Sequence, residues 1–263
     1  MIFAWLRRRR RRALLEAPMP TLWPGYLEHN VAFWGWLDDS ERKQLLDITR
    51  VLVAEKDWAG GAGLEVTDEM RVTIAAQAAL LLLGLKHNYF ENVQTIVIYP
   101  EGYRLPRARA GATFLGEEQV PVLGHARMGG AVVLSWRSAL SGGQSATDGH
   151  NLVFHEFAHK LDMKDGVVDG TPPLPNTITG ARWFKVMTRA YQQLRRQAAR
   201  GRKQVLDLYG ATDVAEFFAV ATESFFEQPL ALEAKQPELY AVLKDYFGQD
   251  TAARLARRRR VSS

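Results

Sequence analysis

The chain has 263 residues, 47% of them hydrophobic, enough for one large core or two small ones. It contains no cysteine, which excludes disulfide staples and thiolate metal sites and fits a reducing, cytoplasmic setting. Net charge is +5, but Arg7 to Arg12 carry six positive charges, and Arg254 with Arg257 to Arg260 carry five more. The remainder is therefore at −6, and no nucleic-acid-binding face is expected on the body.

In chain order, residues 1–6 are apolar and precede the arginines, the reverse of a secretory signal. Residues 1–20 are expected to form a disordered basic tail. The alternative is a slight contact of Arg7 to Arg12 with an anionic membrane surface, where each basic residue contributes about 1 kcal/mol. One folded domain is expected over 21–250, followed by a second basic tail over 251–263. Residues 30–37 are rich in aromatics and are expected to pack on the core. Asp38, Asp39 and Ser40 offer N-caps for a helix running to about Lys56, which ends before Gly60-Gly61-Ala62-Gly63. Thr67-Asp68-Glu69 starts a second helix. Its run 74–85 is apolar except for Gln77 and too short for a bilayer, which needs about 20 residues. It is expected to be a central buried helix.

Residues 95–99 are β-branched and closed by Pro100, and 131–136 repeat the pattern, so both are predicted strands. A loop is expected over 141–149. If the second strand has an exposed edge beside a metal, that edge could hold an extended peptide; an ordinary core strand fits the sequence equally.

His155-Glu156-Phe157-Ala158-His159 follows. Residues four apart share one helix face, so both imidazoles can reach one metal ion, and Glu156 can reach a water on it. Leu152, Val153, Phe154, Phe157, Ala158 and Leu161 surround the motif. Two histidines and a glutamate on so apolar a helix need partners, because an unpaired buried polar group costs about 1–3 kcal/mol. A zinc ion supplies one, and its catalytic sites use three protein ligands and an open position. Asp162 could orient a ligand imidazole or pair with Lys160 or Lys164 at the helix end.

A loop over 166–179 should lie near the motif, and a helix is expected from about Ala181 to Arg200. Residues 163–169 hold no histidine, which argues against a three-histidine site. A third ligand is expected from the apolar helix 213–227, where steps of seven and four residues put Glu216, Glu223 and Glu227 on one face. Glu223 fits a supporting role or a partner for a buried base. His87, His125 and His150 are left without a role.

Residues 155–162, 213–220 (with Ala215-Glu216-Phe217-Phe218-Ala219-Val220), Ser224-Phe225-Phe226 and Val132-Val133-Leu134-Ser135-Trp136 together resemble the Mlc titration factor A family of zinc metallopeptidases. The resemblance runs from about residue 20 to 250. It implies an α+β, mostly helical zincin-like domain with a small sheet beside the motif helix. It also implies one Zn2+ per chain on His155, His159 and Glu216, with Glu156 as general base. The family's catalytic domain is in turn similar to that of anthrax lethal factor, which implies an oxyanion-stabilising role for Tyr209. A phenol can supply such a donor, although a tyrosine packed at a helix approach fits as well. The implied activity is aminopeptidase-like or endopeptidase hydrolysis of peptide or protein substrates. The implied partner is a Mlc-like transcriptional repressor controlling sugar uptake, and a non-proteolytic repressor-binding protein is the alternative.

Overall fold

The computed structural model describes residues 2–101, 130–175, 178–201 and 205–261. The chain opens with α1 (Ile2–Glu16), α2 (Trp23–Asn30) and a 3-10 turn (Ala32–Trp36) that buries Phe33 and Trp36. Helix α3 (Asp39–Glu55) starts at a capping box. Asp38 accepts from the Glu41 amide, and the Glu41 side chain accepts from the Asp38 amide. Thr67 caps α4 (Asp68–Leu80), which is buried at Met70 and throughout its last three turns. This is the central helix. It stops at Leu80 rather than running to 85, and the chain turns at Gly84, where a Cβ would come within 2.2 Å of the Phe247 carbonyl oxygen. Only glycine allows that approach.

The sheet has three parallel strands in the order β1 (Asp57–Gly60), β2 (Thr95–Tyr99), β3 (Ala131–Ser135), with Thr95 level with both Asp57 and Ala131. Ile96, Ile98, Val132 and Leu134 point into the core. Two of these strands match the sequence expectation. β1 does not: Asp57-Trp58-Ala59-Gly60 is short and lacks β-branched residues. Trp136, predicted to end a strand, instead begins α5 (Trp136–Gln144), because Ser135 caps it by accepting from the Ser138 amide. The loop expected over 141–149 is accordingly shorter.

The second half is helical, with α6 (Leu152–Asp162), α7 (Gly180–Ala198), a 3-10 turn (Leu208–Ala211) and α8 (Val214–Glu227). It closes with α9 (Pro229–Lys235), α10 (Pro237–Phe247) and α11 (Thr251–Val261). Helix α6 lies between α4, α5, β3 and α8. Its Phe154 ring sits 5.2 Å from Phe33 and 5.1 Å from Phe226, so one aromatic cluster joins both ends of the chain. The architecture is α+β and mostly helical, as the resemblance implies. No helix among the described residues is long and apolar enough to cross a membrane.

The two basic tails need correction. Residues 2–16 are helical, and Arg11 makes a bidentate ion pair with Glu55, both contacts at 2.7 Å. Arg50 donates to the carbonyls of Leu14, Leu15 and Ala17, satisfying the last turn of α1. At the other end Ala252 and Leu255 are buried, and Arg254, only 5% exposed, reaches Glu41 at 2.6 Å and Gln249 at 3.1 Å. The body therefore continues past residue 250. Composition misleads because a run of arginines hides which members face acids. Arg254→Ala should lower stability by about 1–3 kcal/mol in urea unfolding, since Gln249 and the inward side of Glu41 lose their partner. A disordered tail would show no change.

Candidate metal centre

Helix α6 is held at its first turn by a hydrogen-bonded clamp. Asn151 caps it by accepting from the Phe154 amide at 3.0 Å. The Asn151 side-chain nitrogen donates to Gln77 and to the Gly142 carbonyl, each at 3.0 Å, and its backbone amide donates to Glu223 at 2.7 Å. Gln77 in turn donates to the carbonyls of Thr73 and Ala139. Neither Gln77 nor Asn151 carries a role in the sequence reading. The available signal was one amide in an otherwise apolar run.

The clamp sets the height of the two histidines against α8. The ligand atoms of His155, His159 and Glu216 all lie within 4.8 Å of one another, an arrangement that could hold a metal ion. His155 Nε2 is 3.0 Å from Glu216 Oε2 and 3.3 Å from His159 Nε2, and the third side of the triangle is 3.6 Å. A tetrahedral shell with metal–ligand bonds of about 2.0–2.1 Å has edges of about 3.3–3.4 Å. The triangle fits one face of such a shell. Two imidazole nitrogens that close also favour a cation between them over mutual contact.

His155 Nδ1 is 2.7 Å from Glu223 Oε1, which places a proton on Nδ1 and leaves the Nε2 lone pair free to coordinate. In the ion-free cluster burial works against charge on His155, but Glu216 and Glu223 outweigh it and raise its pKa to about 10. Burial likewise works to raise Glu216, yet His155 and His159 hold it down at about 2. Proton and metal ion are thus alternative occupants of one electrostatic well.

Glu156, half-buried, stands near enough for its charge to act on His155 and Tyr209. Tyr209 lies on the 3-10 turn, whose start is fixed by Asp207 accepting from the Tyr209 amide at 2.7 Å. Its ring centroid is 6.1 Å from that of His155. Partial burial, then Glu216 and Asp213, push its pKa up to about 12. Asp213 caps α8 by accepting from the Ala215 and Glu216 amides, both at 2.9 Å, and so fixes the turn that carries Glu216.

The suggestion that Asp162 orients an imidazole is not realised. Its Oδ2 accepts from the Gly170 amide at 2.9 Å, and no hydrogen bond joins it to His159. Gly170 has φ +73, and a Cβ there would come within 2.3 Å of the Val214 carbonyl oxygen. Asp162 therefore ties the following loop down onto the start of α8. His87 packs edge-on against Tyr89 and His150 lies 3.6 Å from Asp207, both outside the cluster, while His125 falls outside the described residues.

The three glutamates of α8 divide their work. Glu216 faces the histidines, Glu223 joins His155 to the Asn151 amide, and Glu227 accepts from the Gly149 amide at 2.9 Å. Burial, then the nearby Asp148 carboxylate, raise Glu227 from an ordinary 4.5 to about 9.

A family model described as glucose-regulated metallo-peptidase M90 matches residues 5–248. The uncharacterized protein slr2042 of Synechocystis sp. is 34% identical over 244 residues, covering 90% of this chain and 87% of the relative. Mlc titration factor A of Edwardsiella ictaluri is 32% identical over 225 residues, covering 83% and 84% respectively. Mlc titration factor A of Serratia proteamaculans is 31% identical over 231 residues, covering 84% and 85%. The family match begins inside α1.

Two outcomes are expected from these contacts. Glu223→Gln should weaken metal binding about 10–100-fold in a chelator-competition titration, as loss of a carboxylate behind a ligand histidine does, and Glu216→Ala should weaken it further. Glu227 is protonated more tightly when folded than when unfolded. Its contribution to stability is complete below about 4.5 and is lost as pH rises towards about 9. Glu227→Gln should flatten that decline in unfolding measured across the interval; an unchanged slope would remove Glu227 as its source.

Proposed function

This chain belongs to the glucose-regulated metallo-peptidase M90 family, and from that premise we propose that it is a zinc-dependent peptidase acting in the cytoplasm. The observation that carries the reading is the His155–His159–Glu216 triangle. Two imidazoles and one carboxylate suit zinc better than magnesium or calcium, which prefer all-oxygen shells. His155, His159 and Glu216 would hold one ion per chain, which when bound supplies Lewis acidity for a water and a substrate carbonyl.

The chain's own groups do the rest. Glu156 takes a proton from the attacking water and returns it to the leaving amine, so the peptide bond breaks with protons conserved. Tyr209 donates from its phenol to the oxygen that gains negative charge. A pKa raised to about 12 keeps that proton in place at neutral pH. Glu223 holds the His155 tautomer. Peptide or protein chains are the substrates, cut internally or trimmed from the amino end.

A second reading is favoured by the name of the relatives, Mlc titration factor A. In it the protein binds a Mlc-like transcriptional repressor, relieving repression of sugar uptake without cleaving a peptide bond. The two readings share the fold and differ in what Glu156 is for.

A mass-spectrometric digest of a peptide library separates them. Zinc-loaded wild type should cleave, Glu156→Gln should bind zinc normally and lose about 10²–10⁴ in rate, and Tyr209→Phe should lose about 10²–10³ in kcat. Cleavage by Glu156→Gln at the wild-type rate would sink the mechanism. No cleavage by wild type, with repressor captured equally by wild type and Glu156→Gln, would favour the second reading.

A further inference from the structure

We propose that α1 is an interfacial helix that docks the protein on anionic lipid surfaces. Its orientation is fixed by its inner side. Arg7 and Arg11, one turn apart, face Glu91 at 3.4 Å and Glu55 at 2.7 Å, Arg11 stacks over Tyr89 at 4.3 Å, and Arg50 closes the last turn. With about 100° per residue, Trp5, Arg9 and Arg12 fall on the opposite half, Arg8 lies at its edge, and Leu6 sits on the flank, beside the groove that Glu55 and Glu91 line. Trp5 is 57% exposed and Leu6 47%, and the three arginines are exposed. The Arg9 guanidinium lies 5.6 Å from the Trp5 ring centroid.

An indole among cations on one outward face, with a half-exposed leucine on the flank, is what a helix needs to lie in a headgroup layer. The aromatic ring and leucine enter the apolar boundary while the guanidinium groups meet lipid phosphates. Charge complementarity selects the occupant. The chain apart from its two arginine clusters is at −6, so an anionic surface repels the body and is engaged through the basic helix. A nucleic-acid duplex would also attract the arginines, but its bases are already stacked and give exposed Trp5 and Leu6 no partner. Since no described helix can cross a bilayer, the contact is a surface one.

Co-sedimentation of the full chain with vesicles of phosphatidylcholine, alone or mixed with phosphatidylglycerol, tests this. Wild type should pellet with the mixed vesicles only and be released by salt. Replacing Arg8, Arg9 and Arg12 together by Gln should lower vesicle affinity by about a hundredfold. Trp5→Ser with Leu6→Ser should also lower it, and both variants should keep the wild-type unfolding midpoint because Arg7, Arg11 and Arg50 are intact. Failure of wild type to pellet with mixed vesicles would overturn the proposal. So would equal binding by either variant, or retardation of duplex DNA by wild type with no vesicle binding. None of these readouts involves Glu156 or the metal ligands, so the outcome is independent of the peptidase reading.

Discussion

Everything at the centre of this protein depends on His155 being held between two carboxylates of one helix. Glu216 meets its Nε2 and Glu223 its Nδ1, so a single imidazole pins α8 to α6 in both height and rotation. Burying two carboxylates beside two imidazoles is costly unless each charge finds a partner. Here the partners are mutual. The same contacts that satisfy the burial also aim Nε2 of His155 towards His159 and Glu216, the one arrangement among the described residues able to hold a metal ion. Stability and site geometry are the same interaction viewed twice.

The polar clamp behind α6 explains how that aim is kept. An uncapped helix end would fray and move His155, which lies in the second turn. Asn151 satisfies the start of α6 and is itself held by Gln77, Gly142 and Glu223, so four segments meet at one amide. Each polar atom of the Asn151 side chain and of Gln77 has a partner, the condition under which a buried network rigidifies rather than weakens a core. On the other side Asp162 performs the same service for the loop at Gly170. The motif helix is thus fixed at both ends by side chains that do not face the His155–His159–Glu216 cluster.

The arginine clusters behave differently from one another and from their composition. Arg254 is consumed in the core, where it joins α11 to the start of α3 through Glu41. In α1, the two sides of one helix have opposite fates: Arg7 and Arg11 pair with acids, and Arg9 and Arg12 turn outward. A run of like charges is usually a solvated tail because its members repel. Repulsion is offset here by Glu55 and Glu91 beneath the helix, while the Arg50 guanidinium satisfies the carbonyls at its end. Position, not count, decides the outcome.

By itself the sequence determined what is local. The His155–His159 spacing is one helical turn, the caps at Asp38 and Thr67 act over three residues, and the steps between Glu216, Glu223 and Glu227 follow from the helical period. These rules say which residues share a face. They do not say how far along α8 the helix α6 crosses, so Glu216 could be singled out from Glu223 only by resemblance, and the division of the three among His155, Asn151 and Gly149 was beyond reach. The same holds for the link from Gln77 to Asn151, 74 residues apart, and for the turn of Asp162 towards Gly170. Strand β1 escaped notice because its four residues have no pattern without β2 beside them. Tertiary packing decided all of these, because each depends on the relative placement of elements whose own periodicities carry no information about one another.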